Sequence, residues 1–273
     1  FCRLGTVLTL GQVSEIHDYL DPLPMKNPWE TGGHRFRRPD APASVNVAQY
    51  DASAVANAPH LRNLTLGPRV FPVIWHYLGV PPTLPYLLSW WSLHGRNVAR
   101  DAQLFHVDSH DFKWVKLFVY LSDVDATMGP HMVVRGSHDR GKRINLLKEL
   151  AAQGLEAATD LGIAIFKRQR LLDEHVEASY GPENIVSIEG RAGEAFLVDT
   201  SAIHKGLPPK TKDRLVFQAL YTMMPTIKNE VSPLSLPGGY QDHVRTAGEA
   251  ALSKDVWRYC NRMIFWDPEI DAN

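Results

Sequence analysis

The sequence predicts a mainly β fold with flanking helices, and three observations carry that prediction. Runs rich in β-branched and aromatic residues recur at Leu84 to Leu93, Lys116 to Leu121, Glu194 to Thr200 and Arg214 to Tyr221, the composition of strands buried in a sheet. Segments with helical apolar spacing precede and interrupt these runs. No repeat, low-complexity stretch or linker divides the chain, so residues 1–273 are read as a single domain. At this length, with 44% hydrophobic residues, the chain can bury a sizeable core.

Leu10, Val13, Ile16 and Leu20 recur at helical spacing, which predicts a helix over 10–20 packed outside the strands. Residues 22–45, rich in proline, glycine and arginine, read as a long loop. Helices are expected over 51–57 and 68–79, the second ending at Gly79 ahead of Pro81-Pro82. Trp90 and Trp91 are neighbours in a strand-like run and so face opposite sides; one can line a cavity while the other joins the core. Between His138 and Tyr180 the pattern changes. Leu146, Leu147, Leu150, Ala151 and Leu155 follow helical spacing, and a second helix carries Leu171, Leu172 and Val176. This insertion, 139–180, interrupts the strand series and is expected to be a mobile helical lid outside the core. Lys167, Arg168 and Arg170 cluster in it, as a solvated face or as a clamp for an acidic substrate.

The residues that point to chemistry are His106-Val107-Asp108, His204 and Arg214. In an extended strand, residues i and i+2 share a face about 6.6 Å apart. His106 and Asp108 can therefore converge on one ion while Val107 turns away. Pro208-Pro209 breaks the chain ahead of Arg214, so His204 and Arg214 are expected to flank a loop between neighbouring strands. Two imidazoles and one carboxylate bind a metal on one side and leave its other positions open, the donor set of non-haem Fe(II) oxygenases. A guanidinium beyond the second histidine suits a cosubstrate bearing a carboxylate, for which 2-oxoglutarate is the obvious candidate.

A bland reading competes with this one. With 12 histidines in the chain, a His-x-Asp tripeptide arises readily by chance. His175-Val176-Glu177 has similar letters but lies in a helix-patterned stretch, where i and i+2 diverge. A lone histidine is more often structural, and Arg214 alone could be a surface charge. The ordered set carries the argument.

These residues also carry a family resemblance. The runs Gln103 to Phe112 and Lys116 to Asp125, then Gly129-Pro130, Arg135-Gly136-Ser137-His138 and Asp199 to Gly206, followed by Arg214, resemble the phytanoyl-CoA dioxygenase family of iron and 2-oxoglutarate oxygenases. The resemblance runs in order over about residues 50–225. It implies a double-stranded β-helix (jelly roll, cupin-like) core, with His106, Asp108 and His204 as catalytic iron ligands. It further implies Arg214 on the distal carboxylate of 2-oxoglutarate and Tyr120 as an aromatic wall beside that cosubstrate. Fe(II), 2-oxoglutarate and O₂ follow, with ascorbate as a stimulant, and so does hydroxylation of a small molecule at an unactivated C–H with release of succinate and CO₂. Arg135 stands where many relatives have proline, which is expected to alter a turn and spare the metal site. The alternative is a cupin-like metal-binding protein or isomerase without 2-oxoglutarate chemistry, and Arg214 is the residue that separates the two.

A net charge of −1 argues against a general nucleic-acid or membrane-surface binder. No apolar run approaches the ~20 residues that span a bilayer. Cys2 and Cys260 do not make a disulfide framework. With no charged-then-apolar leader pattern at the start, a reducing, cytoplasmic location is expected. Asn63-Leu64-Thr65 matches a glycosylation sequon and is taken as a chance match.

Overall fold

The structure, a computed structural model, describes residues 1–30, 32–96, 98–154, 162, 170–225 and 233–271. Its elements run β1 (Cys2–Thr6), α1 (Leu10–Leu20), β2 (Met25–Lys26), β3 (Val47–Tyr50), α2 (Ala52–Asn57), α3 (Leu61–Thr65), α4 (Phe71–Leu78), β4 (Thr83–Ser92), β5 (Trp114–Tyr120), β6 (His131–Val134) and α5 (Arg140–Ala152). They continue with α6 (Asp173–Tyr180), β7 (Ile185–Ile188), β8 (Glu194–Val198), β9 (His204–Gly206) and β10 (Arg214–Thr222). Two short strands at Leu234–Ser235 and Phe265–Trp266 pair in parallel beside helices Gly239–Ala247 and Lys254–Asn261.

The larger sheet has the order β1-β8-β5-β10-β4-β3-β2 and the smaller one β7-β6-β9; within both, neighbours are antiparallel. An isolated bridge between His106 and His204 adds the His106 segment to the edge of the smaller sheet. From β4 onward the chain thus winds between two facing sheets, as a double-stranded β-helix does. The anticipated strand through His106 and Asp108 is reduced to this bridge. The anticipated neighbour relation of His204 and Arg214 also changes, because β9 and β10 lie in different sheets.

Alternation along each strand sorts the side chains. Phe118 and Tyr120 of β5, Phe196 and Val198 of β8 and Val216 of β10 meet Val133 and Ile188 of the smaller sheet in a core between the sheets. The other faces of the same strands, Leu117, Val119, Leu215 and Phe217, meet Val13, Ile16 and Leu20 of α1 and Phe71, Ile74 and Leu78 of α4. Each such buried aliphatic side chain contributes about 1.5–3 kcal/mol relative to exposure. A capping box between Thr9 and Gln12 starts α1. Leu10, expected on its buried stripe, is 72% exposed because it sits in the first turn, off the packed face. Gly79 ends α4 in the left-handed conformation (φ 81°). Helix α3 was not legible, being a single turn without periodic length. Within the 22–45 loop lie the two-residue β2 and a 3₁₀ turn at Arg38–Asp40.

The insertion departs from expectation. Leu150 of α5, Val176 of α6 and Leu171 form a third core with Phe105, Val107, Val134 and Ile203 on the outer face of the smaller sheet. The described ends of 139–180 are therefore anchored in the core. Leu171 bridges Phe105, and exposed Leu172 precedes α6, so the second helix starts later than its leucines suggest. Leu155, Lys167 and Arg168 lie outside the described residues. The departure at Arg135 has a reason: its amide donates to the Asn184 carbonyl at 2.8 Å, a bond that proline has no N–H to make.

Both cysteines are free thiols, Cys2 exposed and Cys260 buried. Thr65 of the sequon is buried, and its hydroxyl donates to Arg62 O. Among the described residues no helix is long and apolar enough to cross a membrane.

Candidate metal and cosubstrate site

The His106 and His204 backbones pair reciprocally, each amide donating to the other's carbonyl at 2.9 Å, which brings the two rings to a centroid distance of 4.2 Å. Two residues on, the Asp108 amide donates to Thr200 O at 2.9 Å. This keeps the segment extended and puts the carboxylate on the same side as His106, while Val107 points into the outer core. Asp108 Oδ1 lies 3.9 Å from His106 Nε2, and Oδ2 lies 3.5 Å from His204 Nε2. One ligand atom from each of the three residues lies within 4.8 Å of the others.

The second ring nitrogens orient the first. His106 Nδ1 donates to Leu104 O at 2.8 Å, and His204 Nδ1 donates to Ala202 O at 2.9 Å. A carbonyl can only accept, so Nδ1 carries the proton in both rings and each Nε2 keeps its lone pair toward the carboxylate. Burial pushes the His106 and His204 imidazoles below the ordinary histidine range, and for His106 the neighbouring His204 adds to the effect. Burial alone would raise Asp108, but the Lys116 ammonium, the His110 hydrogen bond and the two neighbouring imidazoles together outweigh it and hold the carboxyl well below its usual range. Two neutral imidazoles with free Nε2 atoms and one carboxylate anion form a set that fits a divalent cation.

All three residues open on a cavity of about 290 Å³. Inward-facing residues of three strands form one wall: Tyr86, Leu88, Trp90 and Ser92 of β4, Lys116, Phe118 and Tyr120 of β5, and Arg214, Val216 and Gln218 of β10. Trp90 is the cavity-facing tryptophan; Trp91 is buried on the other face, its indole N–H donating to Tyr50 Oη at 3.1 Å. Arg214 sits opposite Ser92 in the β4–β10 register and donates to its hydroxyl at 2.9 Å. It is 5% exposed, its Nε has no hydrogen-bond partner, and no acidic side chain among the described residues pairs with it. Gly206 admits it, since a Cβ there would lie 3.0 Å from Arg214 Nη2. A buried guanidinium with an idle donor and no counter-charge fits a ligand carboxylate.

Tyr120 lines this cavity with its ring, but its hydroxyl is committed: it donates to Ile188 O at 2.6 Å and accepts from the His131 amide at 3.1 Å. Arg170 lines the same cavity. Three residues here are not placed beside the ligand set by the sequence reading. Lys116 Nζ donates to Asp108 Oδ2 at 2.7 Å, His110 Nε2 lies 3.7 Å from the same oxygen, and His131 is buried among Phe118, Phe196 and His204. A lysine alternating with Phe118 and Tyr120 in an otherwise apolar strand was the signal for Lys116. His110, two residues past Asp108 on an extended segment, was the signal for its place. His175, by contrast, lies on α6 and outside the ligand group.

Residues 34–215 match the family described as phytanoyl-CoA dioxygenase (PhyH). The chain belongs to that family, and with it to the iron- and 2-oxoglutarate-dependent oxygenase-type enzymes. Solved structures share the fold. HygX from Streptomyces hygroscopicus, with nickel and 2-oxoglutarate bound, is 18% identical over 84% of each chain with a TM-score of 0.53. SnoK, a non-heme alpha ketoglutarate dependent carbocyclase from nogalamycin biosynthesis, is 17% identical over 82% of each chain with a TM-score of 0.55. No curated protein matches the chain in sequence.

Proposed function

We propose that this single-domain chain is a non-haem Fe(II)- and 2-oxoglutarate-dependent dioxygenase that hydroxylates an unactivated C–H bond of a small molecule, releasing succinate and CO₂. The observation that carries the reading is the pairing, in one cavity, of the His106, Asp108 and His204 donor set with a buried, uncompensated Arg214. Bound there with its cosubstrate, the iron would supply the O₂ activation that no side chain can perform.

The chain's own residues bind, orient and exclude. His106, Asp108 and His204 hold the cation from one side, and the Leu104 and Ala202 carbonyls keep both imidazoles aimed. Arg214 anchors the far carboxylate of 2-oxoglutarate by its planar fork, which fixes the rest of the acid toward the metal. Trp29, Tyr86, Trp90, Phe118 and Phe196 give the cavity aromatic walls that keep water from the reacting centre. An acidic group on the substrate would meet Arg170 on the same cavity. A cupin-like protein without 2-oxoglutarate chemistry has no use for Arg214.

HygX has been crystallised with hygromycin B and SnoK is a carbocyclase. The test therefore screens a small-molecule library that includes hygromycin B for substrate-stimulated succinate release with Fe(II), 2-oxoglutarate and ascorbate, and follows hits by mass. A gain of one oxygen supports hydroxylation; a loss of two hydrogens marks ring closure or desaturation by the same site. Metal binding without any 2-oxoglutarate binding would favour the cupin-like alternative.

A further inference from the structure

We propose that His131 is a second donor to the carboxylate held by Arg214, so that the pair selects 2-oxo acids carrying a second carboxylate. The inference rests on the oxygenase reading above and extends it to a residue outside the ligand set. His131 begins β6 and is 6% exposed, and its side chain lines the cavity. Its Nε2 is buried with no hydrogen-bond partner. An idle buried polar atom is costly, so a partner supplied by a ligand accounts for it better than packing does.

The surroundings narrow that partner. His131 pairs with Gly206 across β6 and β9, and Gly206 is the residue against which Arg214 Nη2 packs. The imidazole and the guanidinium thus flank the same glycine, each with an idle buried nitrogen. His131 stacks on His204 at 5.5 Å and 21°, with Phe118 at 4.7 Å and Phe196 at 5.7 Å. The ring is held from several sides. It does not join His106, Asp108 and His204 in the ligand group, so it is not a fourth protein ligand. Tyr120 cannot take the role, because its one hydroxyl proton goes to Ile188 O; what it does is pin the His131 amide. A ring with the Nε2–H tautomer donates to a carboxylate oxygen beside the Arg214 fork, a charge-assisted bond in a dry site.

Anaerobic calorimetric titration of the Ni(II)-loaded protein tests this with two probes, 2-oxoglutarate and 2-oxobutyrate, the latter lacking the far carboxylate. His131→Leu is expected to raise the 2-oxoglutarate Kd by about 10-fold or more, while the 2-oxobutyrate Kd stays within about twofold. His131→Gln, which restores an N–H donor, is expected to recover most of the loss. Equal weakening of both acids in His131→Leu would mean a packing role, and no change in either would mean no role; each overturns the proposal. Arg214→Ala, run alongside, separates the levels. If it abolishes the preference for 2-oxoglutarate and His131→Leu does not, the His131 inference alone falls. If Arg214→Ala also keeps the preference, the cosubstrate reading itself falls.

Discussion

Lys116 Nζ donates to Asp108 Oδ2 at 2.7 Å, joining a buried lysine of β5 to the carboxylate of the candidate metal site. The carboxylate opposes burial of the ammonium and keeps Lys116 protonated, and the ammonium in turn keeps Asp108 ionised. Removing one partner of a buried pair strands the other's charge. Lys116→Met is therefore expected to destabilise the metal-free protein by about 3 kcal/mol, read by urea denaturation. Ni(II), which replaces the lost positive charge, should raise the Tm of the variant more than that of the wild type. The sign with pH follows from a carboxyl lowered in the folded state. Its contribution is present above the unfolded carboxyl's ordinary value of about 3.9 and is lost as pH falls through the folded one. Lys116→Met should flatten that acid limb.

Arg214 should govern the cosubstrate and not the metal. Truncating one side of a desolvated, hydrogen-bonded charge pair costs about 2–5 kcal/mol, so Arg214→Ala is expected to raise the 2-oxoglutarate requirement about 30-fold or more. Metal affinity, measured without 2-oxoglutarate, should stay near that of the wild type. An unchanged 2-oxoglutarate requirement would move the anchoring role to another side chain.

Leu150 tests whether the insertion is part of the core. It is 6% exposed and packs in the cluster that contains Phe105, Val107 and Ile203, neighbours of His106 and His204 in sequence. Leu150→Ala is expected to cost about 2–4 kcal/mol of stability. An insertion standing apart from the core would tolerate the change with no shift in the denaturation midpoint.

The thiols differ in access. Burial pushes Cys260 up to about 12, and it is fully buried, whereas Cys2 is exposed. A disulfide reagent at pH 8 should titrate one thiol in the native protein and two after unfolding. Two fast-reacting thiols in the native state would contradict the packing around the helix Lys254–Asn261.

Much of the fold was legible because its elements announce themselves locally. The helix Leu10–Leu20 has its period in the sequence, and β4, β5, β8 and β10 of the larger sheet have runs whose composition shows them, whereas β1, β2 and β3 do not. The His106 segment was readable as extended but not as a lone bridge, because its partner, His204, is distant in sequence. The packing of the insertion's ends is not legible for a related reason. Helical spacing reveals an apolar face but not what it meets, and here that is the outer face of the smaller sheet. In the site, donor types and spacing exposed His106, Asp108, His204 and Arg214. Lys116 and His131 acquire meaning only through contacts that register creates, with Asp108 in one case and across Gly206 in the other.

The central claim is that His106, Asp108 and His204 together hold one Fe(II). Anaerobic calorimetric titration of Fe(II) into the wild type and into His106→Ala, Asp108→Ala and His204→Ala tests it most directly. One ion per chain is expected in the wild type, with a strong loss of affinity in each variant while circular dichroism shows the fold retained. Wild-type affinity and stoichiometry in His106→Ala or His204→Ala would contradict the assignment.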